Sequence, residues 1–155
     1  MVAWKDVEAE APELAERVQE LFDAGRHKTI ATLRADGSPR ISGIECEFVD
    51  GNLQFGSMPA ARKGADLARD PRFALHGPTV HPEEGKEGEW PGEAKIAGRA
   101  HASGPVTAEG EAGPEGELFV ADITEVVFTH LDPAATRLVI ESWAPGRGVR
   151  VVERD

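Results

Sequence analysis

Two Asp-Gly dipeptides, Asp36-Gly37 and Asp50-Gly51, separate three short β-prone runs, and this spacing constrains the fold more than any other feature of the chain. Gly tolerates positive φ, so Asp-Gly between strand-like runs is a strong hairpin signal. The first run spans residues 29–34. In the second, Ile44, Cys46 and Phe48 alternate with Glu45 and Glu47, which gives one buried and one polar face. The third spans 53–56. Three strands joined by short turns predict an antiparallel meander.

The rest of the chain extends this pattern. Residues 12–24 read as a helix: Pro12 suits a first turn, and Leu14, Val18, Leu21 and Phe22 fall on one stripe before Gly25. Residues 61–70 read as a short helix stopped by Pro71. Residues 73–76, 95–103, 123–131 and 138–143 read as further strands. The Gly- and Pro-rich acidic stretches 78–92 and 104–117 read as loops, expected to be mobile because they hold few apolar anchors. Residues 123–131 are apolar on both faces, so a lone chain is expected to leave one face bare and to pair with a second copy. The expected fold is mainly β: a six-stranded antiparallel split β-barrel with an N-terminal helix and a short helix after strand three. With 155 residues, the chain is expected to form a single domain, 1–155.

Charge and composition narrow the function. Seventeen basic and 28 acidic residues leave a net charge of −11, which argues against nucleic acid and anionic membranes as partners. No run is apolar enough to span a bilayer, and residues 1–6 do not resemble a signal peptide, so a cytoplasmic protein is expected. One cysteine, Cys46, leaves no internal disulfide; on the apolar face of its strand it reads as an inert buried thiol. The five histidines lack helical zinc spacing, and the Glu clusters in the loops lack rigid supports, so no metal site is expected.

The stretch that carries chemistry runs from Phe55 to Leu67. A strand ends at Gly56-Ser57-Met58, a loop follows, and a helix begins with Arg62-Lys63. Cations are unfavourable at a helix N-terminus, which already carries about half a positive charge. The pair is either a solvated surface feature or half of an anion site, in which helix N–H groups, Arg62 and Lys63 together hold a phosphate. Gly56 permits a flat ligand to approach the backbone, and Ser57 offers a hydroxyl. Trp143, followed by Ala-Pro-Gly-Arg147, is either a core or interface residue before a turn or a cover for a flat ligand, with Arg147 reaching an anionic group.

The leading helix, the segment ATLRADGSPRISGIECEF and the segment GNLQFGSMPAARKGADLARDPRFAL together resemble the flavin-binding split-barrel family related to pyridoxamine 5′-phosphate oxidase. The resemblance covers residues 12–76 well. It continues more loosely through 96–100 and the terminal VIESWAPGRGV. It implies a homodimer with two FMN molecules in clefts between subunits. Gly56, Ser57 and Met58 would then line the flavin and Arg62 and Lys63 would hold its phosphate. Trp143 and Arg147 would lie near the cleft of the partner subunit. The chain also departs from that pattern. Ser42 and Glu47 stand about where the pyridoxamine-phosphate enzymes carry basic cofactor contacts, and their C-terminal substrate signature is not recognisable. The resemblance therefore implies an FMN-dependent oxidoreductase acting on some other small molecule. Its competitors are a deazaflavin-dependent reductase and a non-catalytic flavin- or haem-binding module.

Overall fold

The computed structural model describes residues 1–106 and 116–155. Two short helices, α1 (Trp4–Glu10) and α2 (Pro12–Asp23), lead into strands β1 (Lys28–Leu33), β2 (Pro39–Ile44), β3 (Cys46–Val49) and β4 (Asn52–Ser57). Helix α3 (Arg62–Arg69) follows. Then come β5 (Arg72–His76), β6 (Glu93–Val106), β7 (Gly116–Leu131), β8 (Leu138–Ala144) and β9 (Gly148–Arg154).

Every strand pairing is antiparallel, in the order β2-β1-β5-β6-β7-β4-β3. The two ends of this path, β2 and β3, are separated in sequence by Glu45 alone. The segment is in effect one bent strand: its first half pairs with β1, its second half with β4, and the bend closes the sheet into a barrel. With β2 and β3 taken together, six strands form the ring. The remaining two, β8 and β9, form a hairpin outside it. β7 has length enough to serve both parts, pairing with β4 at residues 117–120 and with β8 at 126–131. The expected split barrel is therefore present, but with nine strand segments among the described residues rather than six, because Glu45 divides one strand into two and the C-terminal hairpin adds two more.

The N-terminus also differs from expectation. A second helix, α1, precedes the expected one, and the two meet at Ala11, the residue before Pro12. Proline disfavours helical geometry in its predecessor, and Ala11 is accordingly non-helical, at φ −138° and ψ 65°. The Ala3 N–H is capped by the Asp6 carboxylate at 2.8 Å, and the Trp4 indole N–H donates to Gln19 Oε1 at 3.0 Å, locking α1 on α2. The Val2 N–H donates to Asp122 Oδ1 and its carbonyl accepts from the Ile123 N–H, so the segment before α1 is tied to β7.

Helix α2 packs on β6 and β7. The expectation that residues 123–131 leave a face bare is corrected: Val126, Val127, Phe128 and Thr129 are consecutive and all buried within one chain. Exposed large apolar side chains cluster instead on the outer hairpin, at Leu138, Val149, Val151 and Val152, with Met1, Ile41, Met58 and Val80 exposed elsewhere. Of the two acidic loops, 78–92 contains one 3-10 turn, Glu87–Glu89. Residues 104–106 and 116–117 belong to β6 and β7, and the remainder of the 104–117 reading lies outside the described residues.

Candidate functional site: the start of α3 and the cleft beside it

Strand β4 alternates as its sequence requires. Leu53, Phe55 and Ser57 point inward and are buried, while Gln54 and Gly56 face outward. Phe55 packs edge-on against Phe73 at 5.1 Å and stacked on Phe119 at 6.0 Å, which fixes the strand that delivers the site. Beyond Ser57 the chain reverses in a turn closed by the Ala61 N–H donating to the Met58 carbonyl at 3.1 Å. Pro59 takes the second position of that turn. Ala60 takes the third at φ +60°, the left-handed region where glycine is normal. A non-glycine residue there costs on the order of 1 kcal/mol and tends to mark functional loops.

α3 begins at once, and its start is bare. Its N-cap, Ala61, has no polar side chain, and no acid occupies the first turn. The leading N–H groups are therefore left without a side-chain cap, beside two cations. Gly64 presses the helix on the end of β4: a Cβ at this position would sit 2.6 Å from Ser57 Oγ. Ser57 is itself buried, and its hydroxyl donates weakly to the Met58 carbonyl at 3.3 Å.

Next to this helix start lies a cleft of about 560 Å3, lined by His27, Gly43, Glu45, Glu47, Gln54, Gly56, Met58 and Lys63 among others. The volume falls within the roughly 300–1,000 Å3 usual for small-ligand sites. A Cβ at Gly43 would meet nothing within 4 Å, so the cleft wall is open there. Met58 is 77% exposed at the rim, and Lys63 Nζ donates to the Gly43 carbonyl at 3.4 Å. Arg62 is exposed and has no ion-pair partner among the described residues. The acids that share the cleft are Glu47, opposite Gln54 on the neighbouring strand, and Glu45, whose partner is Arg26 at 3.8 Å.

Of the residues singled out in the sequence, the structure brings Gly56, Met58 and Lys63 to one cleft, with Ser57 behind it and Arg62 beside it. Trp143 and Arg147 are elsewhere in the chain. Trp143 is buried in the core, and its indole N–H donates to Glu10 Oε2 at 3.0 Å. Arg147 sits in the β8–β9 turn and donates to Ser142 Oγ at 2.9 Å. Cys46 is buried, and that burial pushes its thiol up to about 11, far from thiolate chemistry at neutral pH.

One residue escaped the sequence reading altogether. Asp66, in α3, is 2% exposed. Its Oδ2 accepts from Arg40 Nε at 2.7 Å and Thr32 Oγ1 at 2.8 Å, and its Oδ1 accepts from Arg69 Nη2 at 3.0 Å. Only Arg69 is local in sequence; Thr32 and Arg40 come from β1 and β2, and no spacing rule within α3 announces them. Burial opposes the charge on Asp66, but the hydrogen bonds from Arg40, Thr32 and Arg69 outweigh it and hold the carboxyl below its usual range. A carboxylate with a depressed folded pKa stabilises the fold above its unfolded value, near 4, and loses that contribution as pH falls through the lower folded value. Thermal melts should therefore show stability falling below about pH 4, and less steeply in Asp66→Asn, which has no such proton to take up.

Comparison with known proteins bears on this site. A family model described as pyridoxamine 5′-phosphate oxidase matches residues 14–149. No curated protein matches the chain. Among solved structures, PhzG from Burkholderia lata 383, in complex with tetrahydrophenazine-1-carboxylic acid, is similar with a TM-score of 0.65 and 13% identity. That match covers 97% of this chain and 94% of PhzG. A pyridoxamine 5′-phosphate oxidase-related, FMN-binding protein from Nostoc punctiforme is similar with a TM-score of 0.60 and 12% identity, over 96% of this chain and 97% of that one. A haem-binding protein from Mycobacterium smegmatis is similar with a TM-score of 0.53 and 14% identity, over 91% of this chain and 87% of that one. At these identities the likeness is one of fold.

Proposed function

We propose that this chain, which belongs to the pyridoxamine 5′-phosphate oxidase family, binds FMN at the start of α3 and works as an FMN-dependent oxidoreductase on a small molecule. The observation that carries the reading is the uncapped helix start, where Arg62 and Lys63 open α3 with no acid in its first turn, next to a cleft of ligand size. A phosphate there accepts hydrogen bonds from first-turn N–H groups and from both side chains, and relieves an arrangement that is otherwise electrostatically unfavourable. Gly56 and Gly43 leave the cleft walls free of side-chain bulk for a flat ring, and Gln54 supplies an amide able to donate and accept at a ring edge. When bound, the flavin supplies the electron or hydride transfer; the protein supplies orientation and electrostatics. No side chain need act as nucleophile or base, so the absence of a catalytic motif in the sequence costs the reading nothing.

The fit is best at the phosphate end. Glu45 and Glu47 line the same cleft, and they oppose an acidic cofactor tail more than they oppose a single phosphate. That favours FMN over a deazaflavin with an extended acidic tail. One feature favours a second reading, a haem-binding module without turnover: His27 lines the cleft, and imidazole is a common axial ligand of haem iron.

The same reading includes a homodimer. Val149, Val151 and Val152 are 48%, 56% and 44% exposed on β9, and its outer edge is unpaired among the described residues. An open, valine-rich edge strand is a liability that a second copy would cover. Sedimentation at micromolar concentration should give a dimer, and Val151→Lys should shift it toward monomer. A wild-type monomer at that concentration contradicts this part of the proposal.

A further inference from the structure

Arg62, Asp66 and Arg69 lie on one face of α3, at i, i+4 and i+7. An Arg four residues before an Asp on a helix is within reach of it, so Asp66 is a natural partner for Arg62. Yet Arg62 is not paired with it. Both oxygens of Asp66 are occupied, Oδ2 by Arg40 and Thr32 and Oδ1 by Arg69. Arg40 is 18% exposed at its side chain and reaches Asp66 from β2, across the gap between barrel and helix. Two guanidinium groups thus attend one buried carboxylate, more than neutralisation requires.

We infer that Arg40 and Arg69 are positioning residues that occupy both oxygens of Asp66, so that this buried acid competes poorly for Arg62 and Arg62 stays available to an anion at the start of α3. The inference rests on the phosphate site proposed above. It assigns a role to three residues that do not line the cleft. This occupancy works by geometry rather than by net charge. A carboxylate offers about four acceptor positions; three donors at 2.7–3.0 Å fill both on Oδ2 and one on Oδ1, so a fourth partner has only the remaining position on the oxygen that Arg69 already holds. Losing the Arg40 donor opens Oδ2, and Arg62 gains a short, charge-assisted bond to a poorly solvated acid. A phosphate then has to compete with that bond.

The test is a double-mutant cycle with two ligands. FMN and riboflavin are titrated into wild type, Arg40→Met, Arg62→Ala and the double variant. Arg40→Met should weaken FMN about fivefold, the scale of one diverted charge-assisted hydrogen bond, and leave riboflavin unchanged. In the Arg62→Ala background, Arg40→Met should change FMN affinity less than twofold. Equal losses in both backgrounds would mean that Arg40 acts only through long-range charge, and equal losses for both ligands would mean that it only supports the fold; either overturns the inference. Should Arg40→Met fold poorly, Arg69→Gln opens Oδ1 instead, from a side chain that is 40% exposed, and is read in the same cycle. The same set titrated with inorganic pyrophosphate reports on Arg62 without a flavin. If wild type binds no FMN, the functional reading fails, but the order of pyrophosphate affinities still decides whether Asp66 is held away from Arg62.

Discussion

Replacing Arg62 and Lys63 together with Ala should weaken FMN binding by about 2–4 kcal/mol and leave riboflavin binding nearly unchanged. Hydrogen bonds to charged groups are worth roughly 1.5–3 kcal/mol each, and two on one phosphate are not fully additive. Folding should change little. Arg62 is exposed with no ion-pair partner among the described residues, and Lys63 makes only a long 3.4 Å contact with the Gly43 carbonyl. Removing two cations from an uncapped helix start even relieves the clash with the helix dipole. Calorimetric titration with both ligands separates the possibilities. A loss confined to FMN locates the phosphate at α3, whereas equal losses for FMN and riboflavin would mean that the pair shapes the pocket instead.

The second large effect concerns stability. Trp143→Ala should destabilise the fold by about 3–5 kcal/mol, the usual range for deleting a large buried aromatic. Trp143 is 1% exposed within a single chain and lies in the main core with Trp4 and Val7. Its loss also leaves Glu10 without its indole donor at 3.0 Å. Chemical denaturation reads this directly. If Trp143 instead served as a cover for the flavin, the variant would lose cofactor affinity while its unfolding midpoint stayed near that of wild type.

Lys63 and Trp143 show what the sequence carried and what it did not. The hairpins around Asp36-Gly37 and Asp50-Gly51, the α2 stripe and the strand–loop–helix that presents Lys63 are all local patterns, and each is present where the residues predict it. Trp143 left two readings open because the sequence cannot say which element covers a side chain; Glu10 and α1 cover it here, and α1 itself was hidden by Pro12. The break at Glu45 was likewise invisible. Alternation of Ile44, Cys46 and Phe48 runs straight through it, since a bend that moves a strand from β1 to β4 does not disturb which face is buried. Asp66 eluded detection for the opposite reason: nothing in its own helix suggests Thr32 and Arg40, which only the closed barrel brings to it. The apolar surface open to a second copy also lies elsewhere than the sequence predicts. Ile123 and residues 126–129 are buried within one chain, and the exposed valines are on β9, where alternation offered no warning.

The central claim is that this chain binds FMN, and the visible absorption spectrum of the purified protein tests it most directly, followed by release and identification of the chromophore by heat. The prediction is the two-band spectrum of an oxidised flavin, with FMN recovered in the supernatant, or the same spectrum after FMN is added to colourless protein and the excess removed. A haem Soret band, a released deazaflavin, or colourless protein that retains no added FMN would contradict it.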